Sequence, residues 1–218
     1  MIMSELLMHT EEEKKVILEL ADVLVENIEG GVESEAYEFI KERITAAVAE
    51  GKITRDAIGL SPVLSDMQTA VLVGHEIGFH HEIITSILLN RCVNAGTASI
   101  EEIDGIFGES VTKILTNLMQ INALYAKSPT IESENFRNLL LSFTNDMRVI
   151  LIMIASRLVM LRWLFDSEND EARRLVANEA SKLYIPLAHK LGFYKLKSEM
   201  EDLALRYTET EVYAELSR

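Results

Sequence analysis

The 218-residue chain contains one cysteine, three prolines and ten glycines, and each scarcity excludes something. A single thiol, Cys92, cannot form an internal disulfide, and such usage fits a reducing cytoplasm. Few prolines and glycines leave few breaks, and alternating β-branched runs are scarce, so an all-α chain is expected. The most apolar stretch, Asn145 to Phe165, is free of polar side chains only from Val149 to Ala155. A run of that length cannot cross a bilayer, which needs about 20 apolar residues. The N-terminal MIMSELLMHTEEEKK lacks a basic segment followed by an apolar core, so no secretory signal is expected. Positive charge is also short. Residues 1–120 hold 21 acids and 8 bases, whereas residues 121–218 hold 14 acids and 13 bases. An acidic surface repels nucleic acid and anionic membranes, so neither is expected as a direct partner.

What is present is helical punctuation. Thr10 and Glu13 make a capping box opening a helix with Val16, Ile17, Leu20, Val23 and Leu24 on one face, up to Gly30-Gly31. Ser34 starts a second helix, apolar at Tyr37, Ile40, Ile44 and Val48, which stops at Gly51. Residues 51–64 read as a loop with Gly59 and Ser61-Pro62 as turn residues. Ser65 to Val73 reads as a short helix broken near Gly74 and Gly78, and His81 to Val93 as the next. Ser99 and Glu102 make a second capping box before a short helix ending at Phe107-Gly108. A helix over Glu109 to Ala126 closes at Ser128-Pro129, and Ser133 opens the long helix carrying Asn145–Phe165. Asn169 to Leu191 is helical, bent or interrupted near Pro186, and Lys195 to Tyr207 is amphipathic. No repeat, low-complexity segment or linker stands out, so one compact helical domain is expected.

The apolar stretch reads as a central core helix covered on all sides. Ser156 and Arg157 interrupt it, and each must face a polar cavity or find a partner in the core. Arg148, Arg157 and Arg162 are expected as ion-pair partners sooner than as phosphate ligands. His75 and His80 are five residues apart, about 500° around a helix, which does not match the i, i+4 spacing of a zinc-protease helix. With Gly78 between them, they are expected on the surface or in a loop. Cys92 has no base among its neighbours and reads as a buried structural thiol. His189, in PLAHKLG, reads as a packing or capping residue. No phosphate-cradling glycine loop is present.

Two long segments, NFRNLLLSFTNDMRVILIMIASRLVMLRWL and NEASKLYIPLAHKLGFYKLKSEMEDLALRY, closely resemble the N-terminal half of RelA/SpoT-family proteins. Those proteins make and degrade the guanosine alarmones ppGpp and pppGpp, and the resemblance covers roughly residues 80–215. It implies a compact multi-helix HD-type bundle around the long apolar helix. It also divides the chain into an N-terminal helical subregion over 1–60, a hydrolase-like domain over 61–195 and a junction helix over 196–218. In active members the domain hydrolyses the alarmone 3′-pyrophosphate with a manganese ion. The ion is held by an upstream histidine, a His-Asp pair and the aspartate of an L-A-D-R-L motif, and a Glu-Asp pair follows the His-Asp pair.

None of these carries over. The family's A-L-L-H-D-V-V-E-D-T falls on Ile87 to Gly96, so Asn90 and Arg91 replace the His-Asp pair, and Asn94 and Ala95 the Glu-Asp pair. Ser156 replaces the motif aspartate, and Val159 and Met160 replace a His-Asn of the nucleotide pocket. The upstream histidine falls near Asp66 by spacing. Asp146 cannot substitute, because ten residues of helix separate it from Ser156 by about 15 Å. The resemblance therefore implies no catalytic residue, no metal ligand and no cofactor. The chain is expected to be the N-terminal part of a longer GTP pyrophosphokinase, acting in cis on its linked synthetase domain. Two alternatives stand beside this. One is a sensor that binds guanine nucleotides without cleaving them, with Arg91, Arg157 or Arg162 on phosphate. The other is a residually active hydrolase with a displaced metal site at His75, His80 or His81.

Overall fold

Helix after helix begins where a side chain can replace a missing backbone acceptor. The computed structural model describes residues 9–28, 34–127, 140 and 146–209. The chain divides into two compact units, Met1–Asn122 and Ala123–Arg218. The division falls inside the segment expected to form a single hydrolase-like domain. All regular structure among the described residues is helical.

In the first unit, α1 (Glu11–Val25) carries both halves of the Thr10/Glu13 capping box. Its buried stripe is Glu13, Ile17, Leu24 and, beyond the helix end, Ile28. Val16 and Val23, expected on the buried face, are exposed instead. Each lies one residue, about 100° of rotation, before a stripe position and so falls off the packed side. Glu13 is buried because the Arg55 guanidinium pairs with both its carboxylate oxygens. The Gly30-Gly31 stop lies outside the described residues.

α2 (Glu35–Ala49) is capped by Ser34. α3 corrects the sequence reading twice, because it runs from Pro62 to Ile77, beginning in the expected loop and passing through Gly74. Ser61 supplies the reason for the early start. Its hydroxyl accepts the Leu64 N–H at 3.3 Å, and Pro62 stands in the first turn, where it has no intrahelical bond to lose. Gly74 is retained for space, since a Cβ there would collide with the ring of Phe79. The helix ends at Gly78, whose φ of 94° suits only glycine.

α4 (His81–Asn94) is buried from Ile83 through Leu89 and again at Cys92 and Val93. α5 (Ile100–Phe107) carries the second capping box, and α6 (Glu109–Lys127) follows Gly108. Within this unit α3 packs on α1 and α4, and α2 packs on α4 and α5. The Ser128-Pro129 stop and the Ser133 start lie outside the described residues.

In the second unit, α7 (Met147–Trp163) is capped by Asp146, which accepts the Arg148 N–H, and runs into a 3-10 turn at Leu164–Asp166. Asn145, the start of the apolar stretch, lies outside the described residues. α7 is not apolar on every face. Met153, Ser156, Arg157, Met160 and Trp163 are half-buried and recur at helical spacing, so they form one less-covered stripe. The fully buried positions include Val149, Ile154, Leu158 and Leu161.

α8 (Asp170–Glu179) passes through a π-helical turn, Ala180–Tyr184, directly into α9 (Ile185–Leu191). The expected interruption at Pro186 is this widened turn. Proline has no N–H to give to the fourth residue back and its ring crowds that carbonyl, so the turn before it opens. Gly192, at φ 81°, ends α9 in the left-handed region. α10 (Tyr194–Thr208) then packs on α7, α8 and α9. Tyr207 ties α10 to α7 by donating to the Leu161 carbonyl at 2.7 Å.

Candidate functional site

The site residues fall on both units. On the first, Asn90 and Arg91 sit half-buried in the last turn and a half of α4. The Arg91 Nε donates to Asp66 Oδ2 on α3 at 2.6 Å, with the aspartate side chain 16% exposed and the arginine 40%. The two side chains line a void of about 10 Å³ with Ile44, Ile53, Val63 and Leu88. A void of that size holds about one water molecule at most. Burial raises the Asp66 carboxyl to about 6, although the Arg91 charge and hydrogen bond pull the other way.

Asn90 is occupied as well, since its Oδ1 accepts the Asn94 amide N–H at 3.3 Å. Ala95 ends the helix, with its N–H bonded to the Arg91 carbonyl at 2.8 Å. Cys92, next in the chain, is fully buried, and burial pushes its thiol up to about 11. Such a thiol is a packing group at neutral pH.

On the second unit, the α7 stripe places Ser156 beside Arg157, and Val159 is buried away from it. Arg157 is held on several sides. Its Nη1 lies 2.9 Å from Glu179 Oε2 and 3.4 Å from the Met160 sulfur. Its guanidinium lies 4.8 Å from the centre of the Tyr184 ring, and the Tyr184 hydroxyl bonds that of Tyr125 at 2.8 Å. Burial works against the Arg157 charge, but Tyr184 and Glu179 outweigh it and hold the cation firmly protonated.

Arg162 is a surface residue, in a two-bond pair with Glu199 at 2.6 and 2.8 Å. That hydrogen bonding raises its pKa further. Each of the three candidate phosphate contacts thus already has a carboxylate partner. The sequence could not point to Glu179, Tyr184, Tyr125 or Glu199, because each meets its arginine through packing rather than through local spacing.

The histidines are scattered. His75 is exposed and meets the Phe79 ring edge-on, with ring centres 5.4 Å apart. His80 is exposed before α4 and bonds the Ile77 carbonyl at 3.1 Å, and His81 lies 3.7 Å from Glu82. His189 is exposed in the last turn of α9 and meets the Tyr194 ring edge-on, with ring centres 6.0 Å apart. Among the described residues no group of three or more histidine, cysteine, aspartate or glutamate side chains is placed to hold a metal ion. At the positions the resemblance assigns to manganese stand one carboxylate, Asp66, already bonded to Arg91, with the Asn90 amide, the Ser156 hydroxyl and the Arg91 guanidinium, which has no lone pair to give. One carboxylate with a cation beside it and no imidazole does not match the set such an ion takes. No helix among the described residues is long and apolar enough to cross a membrane.

Comparison with known proteins agrees with the helical architecture. The HD domain family matches residues 43–194, more than half of the chain. A guanosine-3′,5′-bis(diphosphate) 3′-pyrophosphohydrolase of Aquifex aeolicus is 34% identical over 180 residues, covering 82% of this chain and 24% of the relative. The bifunctional (p)ppGpp synthase/hydrolase SpoT of Escherichia coli is 31% identical over 129 residues, 59% of this chain and 18% of that protein. A GTP pyrophosphokinase rsh of Brucella ovis is 33% identical over 131 residues, 60% of this chain and 17% of the relative. The chain thus spans about a quarter or less of the length of the curated relatives it matches. On the family match and these relatives together, the chain belongs to the RelA/SpoT family through its HD domain.

Proposed function

We propose that this HD domain does not hydrolyse guanosine alarmones by the metal route, and that it acts as a regulatory domain on a linked GTP pyrophosphokinase. The observation that carries this reading is the ion pair between Arg91 and Asp66. A guanidinium at a ligand position repels a divalent ion. At about 4 Å and an effective dielectric of about 20 the repulsion is on the order of 8 kcal/mol, and less if the side chain turns away. Without a metal, the attacking water keeps a pKa near 15.7 instead of about 7, which removes about eight powers of ten in available hydroxide. Asn94 and Ala95 supply no carboxylate to act as general base in compensation. The test is release of pyrophosphate from pppGpp by the purified chain in manganese. None above the enzyme-free rate is expected, and release abolished by EDTA would overturn the reading.

A second reading is favoured by the names of the relatives, several of which are 3′-pyrophosphohydrolases. In it the domain keeps its guanosine-alarmone ligand, either bound without cleavage or cleaved through a displaced site. Phosphate would then have to displace Glu179 from Arg157, Glu199 from Arg162 or Asp66 from Arg91. A rise in melting temperature with millimolar pppGpp or GDP supports retained binding, and no rise counts against it. Manganese, iron or zinc bound to the purified protein supports a displaced centre at His75, His80 or His81.

A further inference from the structure

We propose that the Arg91 guanidinium is a resident cation that ties α4 to Asp66 on α3, so that this packing needs no divalent metal ion. This rests on the reading that the manganese positions are degenerate. The pair joins two helices that pack against each other, with an aspartate of α3 and an arginine of α4 directly bonded at 2.6 Å. The aspartate lies in an apolar surround of Ile44, Ile53, Val63 and Leu88. A carboxylate there needs a positive partner, and a void of about 10 Å³ leaves no room for a hydrated ion. Arg91 therefore supplies the charge from within the chain, and the α3–α4 packing is independent of divalent metal.

The same geometry makes the cation exchangeable by one substitution. The Arg91 Nε lies one bond further from Cβ than an aspartate oxygen would and is already in contact with Asp66. In Arg91→Asp the new carboxylate falls short of Asp66, leaving a gap between two acidic oxygens. A divalent ion bonded to one oxygen on each side, at about 2.0–2.6 Å from each, spans about 4–5 Å. The variant should accordingly acquire a metal response that the natural chain lacks.

The experiment is thermal melting of the whole chain in EDTA and in 1 mM manganese chloride, for the wild type, Arg91→Met and Arg91→Asp. The wild type is expected to melt within about 1 °C in the two buffers. Arg91→Met is expected to melt at least about 3 °C lower with no metal response, because a destabilisation of about 1 kcal/mol shifts a chain of this size by about 2–4 °C. Arg91→Asp is expected to be lowest in EDTA and to recover at least about 3 °C in manganese. If Arg91→Asp does not fold in EDTA, far-UV circular dichroism after refolding in manganese replaces the melt. Recovered helix supports the proposal and its absence in both buffers contradicts it. Arg91→Met melting with the wild type, or Arg91→Asp indifferent to manganese, overturns the resident-cation assignment while leaving the absence of hydrolysis untouched. Manganese-dependent pyrophosphate release by the wild type overturns the functional reading instead.

Discussion

Asp66 and Arg157 show two ways in which a buried charge is kept. The Asp66 carboxyl is raised by burial to about 6, above its ordinary value of about 3.9 in an unfolded chain. A raised folded value means that the folded state binds the proton more tightly. Its contribution to stability is then full below pH of about 4 and is lost as pH rises through about 6. Glu13 runs the other way. Its hydrogen bonds from Arg55 lower its pKa, so its contribution is present above the ordinary range and is lost as pH falls. Asp66→Asn should therefore remove a fall in stability between about pH 4 and pH 6.5, measured by urea melts across that range against the wild type. An unchanged slope would contradict the raised value.

Arg157 is kept by partners on three elements. Removing Glu179 leaves its charge in a nearly closed site, so Glu179→Gln should destabilise the chain by about 3 kcal/mol. Glu179→Gln combined with Arg157→Met should cost less than the sum of the two single changes, because the orphaned charge is gone.

At the scale of elements, helix starts were the most legible part of the sequence. Thr10 with Glu13 and Ser99 with Glu102 each combine a hydroxyl and a carboxylate at fixed local spacing, and both capping boxes form. Ser61-Pro62 was readable in the same way but resembled a turn, since the two residues serve both purposes. Gly74 was misleading because its role is set by Phe79, a residue that returns over the helix from the following loop. Gly74→Ala gains helix propensity of about 1 kcal/mol yet forces the Phe79 ring aside, an overpacking cost of about 1–3 kcal/mol. The net expectation is a lower urea midpoint, relieved by a companion Phe79→Leu. Leu158 on α7 is fully buried, and Leu158→Ala should cost about 2–5 kcal/mol by the same measurement. A change below about 1 kcal/mol would mean that α7 is not the core helix of the second unit.

At the scale of the whole molecule, the proposed function separates the fold of the chain from the family's hydrolytic chemistry. The HD domain family matches residues 43–194, and the regular structure among the described residues is helical. The polar positions that the resemblance assigns to manganese and to its general base now hold Asn90, Arg91, Asn94, Ala95 and Ser156. The motif frame of Leu88-Leu89 and Ala155-x-Arg157-Leu158 is what sets these positions against the family pattern. The partners that hold Arg91 and Arg157 were not legible. Asp66 lies 25 residues from Arg91, Glu179 lies 22 residues from Arg157, and nothing in local periodicity joins them.

The central claim, that the scaffold persists without its metal-dependent hydrolysis, is tested most directly by incubating the purified chain with pppGpp and manganese and measuring pyrophosphate. The account predicts a rate equal to the enzyme-free blank, with or without EDTA. Pyrophosphate release that requires manganese, rises with protein concentration and stops on chelation would contradict it.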